Sequence, residues 1–147
     1  MIRIIAIGKK HDPELFAAIQ SYQQRLRKPF EVNWSLLPYS SKSGLEARDD
    51  ESGRILDQLD PSNFVILLDE RGQGLSSPDF SDLLTTQSNV TIIIGGAYGV
   101  NDQLRQRANR VLSLSDMIFP HQLVRLILIE QIYRAQAIAD NHPYHHI

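Results

Sequence analysis

The sequence predicts an α/β fold: a mainly parallel sheet with helices on both faces, formed as a single domain over residues 1–147. Three observations carry this reading. Apolar residues are too dense for one-faced strands at Ile2–Ile7, 64–69 (FVILLD) and Val90–Ile94, as expected where a strand is covered on both sides. Stretches with helical spacing alternate with them, so the element order reads βαβαβαβαβα. No internal repeat or low-complexity stretch divides the 147 residues, a length that suits one hydrophobic core.

Each element has its own warrant. The first strand is stopped by Gly8. Asp12, Pro13 and Glu14 then open a helix with a capping side chain, a proline where no N–H is needed, and an acid on the positive dipole end. Leu15, Ile19, Tyr22 and Leu26 form one apolar stripe, and Pro29 ends it. Val32, Trp34 and Leu36 alternate with polar residues, a half-buried strand closed by Pro38. Residues 39–54 read as a loop and then the chain's mobile segment. Helix is expected only in its second half and beyond, through Ile55, Leu56 and Leu59, because Gly53 and an acidic run weaken the first half.

The strand at 64–69 ends in a carboxylate and the turn residues Arg71, Gly72, Gln73 and Gly74. Ser76, Ser77, Pro78 and Asp79 start a helix running through Phe80, Leu83 and Leu84. The Val90–Ile94 strand breaks at Gly95-Gly96-Ala97-Tyr98-Gly99, and Asn101 caps a short helix to about Ala108. A last strand at 111–114 leads through a loop to a long helix with almost no clean polar face. At 100° per residue, Gln136 falls about 20° from Arg125, with Glu130 and Arg134 at about 140–180°. Polar groups thus lie on two opposite lines with apolar residues between. Such a helix is buried on two sides, by its own sheet and by a second copy of the chain, which predicts an isologous homodimer.

Composition narrows the function. With no cysteine, disulfides and thiolate metal sites are excluded, and a reducing compartment fits. The apolar N-terminal run is too short for a signal or a membrane span, so the cytoplasm is the expected location and no membrane is involved. The net charge of −2 gives no global pull toward nucleic acid. Any RNA contact falls to local patches: Lys9-Lys10-His11, Arg25 with Arg27 and Lys28, or the histidine-rich tail.

Ligands of open α/β sheets sit outside the carboxyl ends of the strands. Three such ends are marked, at Leu68-Asp69, at the glycine turn and at 114–119. The turn GGAYG either holds a ligand against bare backbone or simply joins a strand to a helix. It matches neither a dinucleotide nor a P-loop spacing, so a nucleotide enzyme of flavodoxin-like type lacks its phosphate loop. His121 opens the last helix, where the dipole favours neutral imidazole. The terminal His142, His145 and His146 are open to three readings: a disordered tail, a metal cluster, or a Tyr-His cap over a substrate. Without cysteine or paired carboxylates at ligand spacing, no metal is expected.

Three stretches, IIIGGAYGV, LSLSDMIFPHQLVRLILIEQIYRA and HPYHH, closely resemble in order and spacing the RlmH family of small SPOUT-class methyltransferases. The likeness extends to IGKKHDPELFAAIQSYQQRL and LLDERGQGLSSPDF, nearly the whole chain. The resemblance implies a C-terminal trefoil knot, an exception to the rule that chains avoid threading. It also implies methylation by S-adenosylmethionine of N3 of pseudouridine 1915 in helix 69 of 23S ribosomal RNA, on the assembled 70S ribosome. A homodimer is implied, with the partner's residues contributing to the substrate site.

Carried over by motif, the cofactor positions are Leu68, Gly95, Leu114, Ser115, Asp116, Met117, Ile118 and Phe119. Tyr144 and His145 are nearest the target base, with His142 in support, and Arg134 completes the catalytic set. His121 and Arg125 are substrate-binding positions. Arg134 has a competing reading as the i,i+4 partner of Glu130. The chain departs from its relatives at Ile118, where threonine is common, and at His146-Ile147, where a basic residue often follows the histidine. The rival function is a non-catalytic factor that binds the ribosome or a nucleotide through the same loop.

Overall fold

The computed structural model describes residues 1–146, and Ile147 lies outside them. Strands β1 (Ile2–Ile7), β2 (Val32–Leu37), β3 (Phe64–Gly74), β4 (Val90–Ile94) and β5 (Arg110–Ser113) alternate with helices. The helices are α1 (Pro13–Gln23), α2 (Gly44–Leu56), α3 (Ser77–Thr86), α4 (Asp102–Arg107) and α5 (His121–Ala139). The strands form one sheet in the order β2-β1-β4-β3-β5, with every neighbouring pair parallel. The α/β fold expected from the strand density is therefore present.

Side-chain alternation along the strands builds two cores. Ile4, Ala6, Ile66, Ile92 and Ile94 face α1, α3 and α5, packing with Ile19, Phe80, Leu84, Leu128 and Ile132. Ile5, Ile7, Val65, Leu67 and Ile93 face the other way, onto Ile55, Val100 and Leu104. Both faces are covered, which is why these strands read as unbroken apolar runs. The expected caps are made: Asp12 accepts from Glu14 N, Ser76 from Asp79 N and Asn101 from Leu104 N, each a bond of about 1 kcal/mol in helix stability.

Three expectations need correction. Residues 44–56 are one continuous helix rather than a half-formed mobile segment, because the acidic run is amphipathic. Ala47, Glu51, Ser52 and Ile55 turn inward at helical spacing. Arg71 to Gly74 is not a turn but the continuation of β3. Leu112 of β5 pairs with Leu68 and again with Gln73. Gly72 crosses so close that a Cβ there would lie 2.7–2.8 Å from backbone atoms of Val111 and Leu112, so the glycine serves a close passage of two strands rather than a bend. The third correction concerns α5: its Arg125–Gln136 line faces inward, with Arg125 fully buried and Gln136 nearly so. Gln136 accepts from Arg27 N and donates to Arg25 O, tying α5 to the end of α1.

Candidate active site

At the carboxyl ends of β4 and β5 and against the middle of β3 lies a cleft of about 680 Å³, within the range of small-molecule sites. Leu68, Gly95, Leu114, Ser115, Met117, Ile118 and Phe119 all line it, so three separate stretches of the chain converge. Asp116 is not among the lining residues. His121, from the substrate-binding pair, stands on the same wall.

The loop after β5 is shaped by its own side chains. Ser113 Oγ donates to Ser115 O (2.7 Å), and Ser115 Oγ accepts from Met117 N (3.0 Å). Met117 and Ile118 are each 75% exposed, and both line the cleft. Across the cleft, a Cβ on Gly95 would meet Val100 Cγ1 at 2.9 Å and one on Gly96 would meet Glu51 Oε1 at 2.5 Å. A side chain at Gly95 or Gly96 has no room on that side of the turn. A cleft of this size, lined by glycine backbone, apolar residues and the polar groups of Arg48, Asp69 and His121, fits a nucleoside-bearing ligand such as S-adenosylmethionine.

Asp69 closes the floor. Burial opposes its ionisation, but hydrogen bonds from Arg105 and the Arg71 amide, with both guanidinium charges, outweigh that and hold its carboxyl below the usual range.

Beside the cleft, Arg125 pins the end of β1 and the loop that follows it. Its Nη2 donates to Ile7 O (2.9 Å) and Gly8 O (3.0 Å), and its Nη1 to Lys10 O (3.0 Å). Against the expectation that Arg125 binds substrate, its guanidinium is fully buried, its Nη atoms go to these three carbonyls, and it does not line the cleft. His121 and His11 flank it, with Tyr39 Oη 3.4 Å from His121 Nε2. Burial first, and then the Arg125 charge, lowers the pKa of both histidines. The shift favours the neutral imidazole expected of His121, with desolvation rather than the helix dipole as its first cause.

These two histidines give a pH prediction. Their folded values lie below the unfolded one, so near pH 6 the unfolded chain binds more protons. Stability should fall as pH drops from about 6.5. Urea melts between pH 7.5 and 5 should show this loss, and His11→Gln should flatten its slope; an unchanged slope refutes it.

The tail packs elsewhere. Tyr144 Oη donates to Glu130 Oε2 (2.9 Å), and its ring meets Tyr133 edge-on at 4.8 Å. Burial first, then hydrogen bonds with Tyr22 and Glu130, raises the Tyr144 pKa far above its ordinary value, so it stays a donor. Arg134 bonds Glu130 at 2.7 Å and lies 3.1 Å from His145 Nδ1. A guanidinium can only donate, so that nitrogen accepts and the neutral ring carries its proton on Nε2. His142 Nδ1 accepts from Tyr144 N (3.2 Å). The i,i+4 pair of Arg134 with Glu130 is present, and the same guanidinium touches His145. None of Arg134, His142, Tyr144 or His145 lines the cleft of its own chain. The tail cluster and the cleft are two separate places on the chain.

Sequence reasoning did not single out Arg48 and Val124, which also line the cleft. For Arg48 the signal was masked by the expectation of a mobile segment. Among the described residues no group of three His, Cys, Asp or Glu could hold a metal ion, and no helix is long and apolar enough to cross a membrane.

A family model described as "Predicted SPOUT methyltransferase" matches residues 1–145. The chain is 40% identical over 151 residues to the "Ribosomal RNA large subunit methyltransferase H" of Trichlorobacter lovleyi, covering 99% of each chain. It is 40% identical over 156 residues to the protein of that name from Clostridium botulinum, covering 98% of each. The likeness to that of Geobacter sulfurreducens is 40% over 154 residues, covering 99% of each.

Proposed function

The chain belongs to the SPOUT methyltransferase family, and on that footing we propose that it methylates N3 of pseudouridine 1915 in helix 69 of 23S ribosomal RNA, with S-adenosylmethionine as donor, as a cytoplasmic homodimer acting on the assembled 70S ribosome. Its full-length relatives, named as methyltransferases of large-subunit ribosomal RNA, support the reaction class. One observation carries the cofactor assignment: the middle of β3, the glycine turn and the loop after β5 converge on one cleft. The family implies the trefoil knot, and the double pairing of Leu112 with Leu68 and Gln73 supports it.

When bound, the cofactor supplies a methyl group on a sulfonium, an electrophile ready for in-line attack. The cleft's share is positioning, which accounts for up to about 7–11 kcal/mol in well-aligned systems. The acceptor nitrogen must lose an imide proton, at about 1.4 kcal/mol for each pKa unit above ambient pH. Arg134 and His145 reduce that cost by facing the charge that grows on the base, and Tyr144 and His142 fix their geometry. His121, neutral and at the cleft wall, orients the base near the methyl group.

Because the tail stands apart from its own cleft, we assign the substrate site to two chains, the tail of one covering the cleft of the other. The half-buried apolar residues Leu123, Leu126 and Ile127 on α5 supply a seam for such a dimer. A net charge of −2 binds free RNA weakly, since phosphate neutralisation supplies most nonspecific affinity. The target must be presented in a shaped site. Methyl transfer from labelled S-adenosylmethionine should be efficient on intact 70S particles and poor on deproteinised RNA, and equal rates on both would sink the 70S assignment.

A further inference from the structure

The structure separates the basic patches that could meet RNA. In the second patch the Arg25 guanidinium lies over the rings of Tyr22 and Tyr133, and Arg27 bonds Asp140 at 2.6 Å. Lys9 and Lys10 are exposed, and neither has an ion pair among the described residues. Their loop also stands beside the cleft. β1 lies next to β4 with Ala6 opposite Ile94, so the chain leaves the sheet at Gly8 next to the glycine turn. On its other side is the start of α5. Gln122, adjacent to cleft-lining His121, accepts from Asp12 N (2.9 Å) and donates to Lys10 O (3.2 Å). The loop is fixed from within. Gly8 turns it at a φ of +116°, which side chains rarely adopt, and donates to Leu37 O (2.6 Å). Arg125 takes the carbonyls of Ile7, Gly8 and Lys10. His11 meets the Trp34 ring edge-on at 4.5 Å. Backbone and imidazole are committed to the protein, and the two ammonium groups are left to solvent. A loop already ordered loses little entropy when it binds.

We propose that Lys9 and Lys10 bind backbone phosphates of the RNA beside the target nucleotide and so set its base over the cleft. This rests on the functional reading above and deepens it. Phosphate contacts fix register and orientation without reading sequence, and an ammonium on a flexible stem serves phosphate as a point charge. Arg125 then has a task that its burial allows: it never meets the RNA, but it holds in place the loop that does. Two lysines on a chain of net charge −2 are too few to grip free RNA. They suffice to align a strand that the ribosome already presents.

The test is co-sedimentation of the full chain with 70S particles over a range of KCl, beside methyl transfer and calorimetric titration with S-adenosylhomocysteine. Lys9→Gln combined with Lys10→Gln should weaken ribosome binding about tenfold near physiological salt. The slope of log affinity against log salt should shrink by about 0.7–0.9 for each lysine lost. Affinity for S-adenosylhomocysteine should stay as in the wild type, which also reports that the variant folds. Lys9→Arg combined with Lys10→Arg should keep most of the binding, since phosphate accepts either cation. Lys42→Gln is the charge control: Lys42 is exposed on the loop between β2 and α2, where its charge acts on Asp50. Its loss should change ribosome binding by less than about twofold. An equal loss from Lys42→Gln would show a general effect of charge, and weaker binding with an unchanged salt slope would show a contact other than phosphate. Either overturns the proposal, as does a double variant that binds like the wild type. A wild-type chain that binds ribosomes through these lysines but transfers no methyl group removes the reaction reading and leaves this inference standing. One that methylates ribosomes with full affinity after losing both lysines removes this inference alone.

Discussion

Arg125→Met should lower the unfolding free energy by about 3 kcal/mol, a large loss for a single side chain. Methionine matches the stem of arginine and keeps the apolar packing, so little of the effect is cavity. What goes is the donor set: the buried carbonyls of Ile7 and Gly8 lose this donor at once, while Lys10 O keeps Gln122 Nε2. Each orphaned buried acceptor costs about 1–3 kcal/mol. Against this runs the relief of no longer burying a guanidinium, a penalty of several kcal/mol. The carbonyls win because no carboxylate pairs with Arg125 among the described residues. There is no ion pair to exchange whole for an apolar one, only a donor to remove from acceptors that stay. Arg125→Lys should recover less than half, since a compact ammonium cannot span carbonyls on both sides of its stem as the planar fork does. Urea denaturation measures both variants, and a loss below about 1 kcal/mol for methionine would mean that water replaces the guanidinium.

Arg125 also marks where sequence reasoning reached its limit. The helical wheel correctly placed Arg125 and Gln136 on one line, opposite Glu130 and Arg134. A wheel reports angles, not which line faces the core, and an arginine is ordinarily assigned to solvent. Only the carbonyls at the end of β1, more than a hundred residues away, reverse that choice. The isoleucine-rich strands were legible because burial on both faces leaves a local mark, and the caps at Asp12, Ser76 and Asn101 because a cap is a local device. Gly72 could not be read as a strand crossing, since its reason is the backbone of Leu112 lying against it. The site divides the same way. The convergence of Leu68, Gly95 and 114–119 follows from a parallel sheet whose loops share one end. The separation of the tail from the cleft depends on where 142–146 dock, and no spacing reports that.

That separation yields a prediction about inactive variants. His145→Ala should lower turnover about a hundredfold to ten-thousandfold, the contribution of a positioned acid–base or charge-stabilising group, with cofactor affinity unchanged because His145 lies outside the cleft. Gly95→Val should abolish cofactor binding, since its Cβ already meets Val100 and the added methyl groups must turn into the cleft. Mixed at equal amounts and allowed to exchange subunits, two such dead proteins should regain about a quarter of wild-type activity. Half the dimers would be mixed, and by two-fold symmetry each mixed dimer has two sites. One site combines the sound cleft of the His145→Ala chain with the sound tail of the Gly95→Val chain; the other combines both defects. If cleft and tail of a single chain made the site, every site in the mixture would carry a defect and no activity would return. Recovery therefore depends on the site being shared, and its absence, with exchange verified by differently tagged chains, would place the tail back over its own cleft.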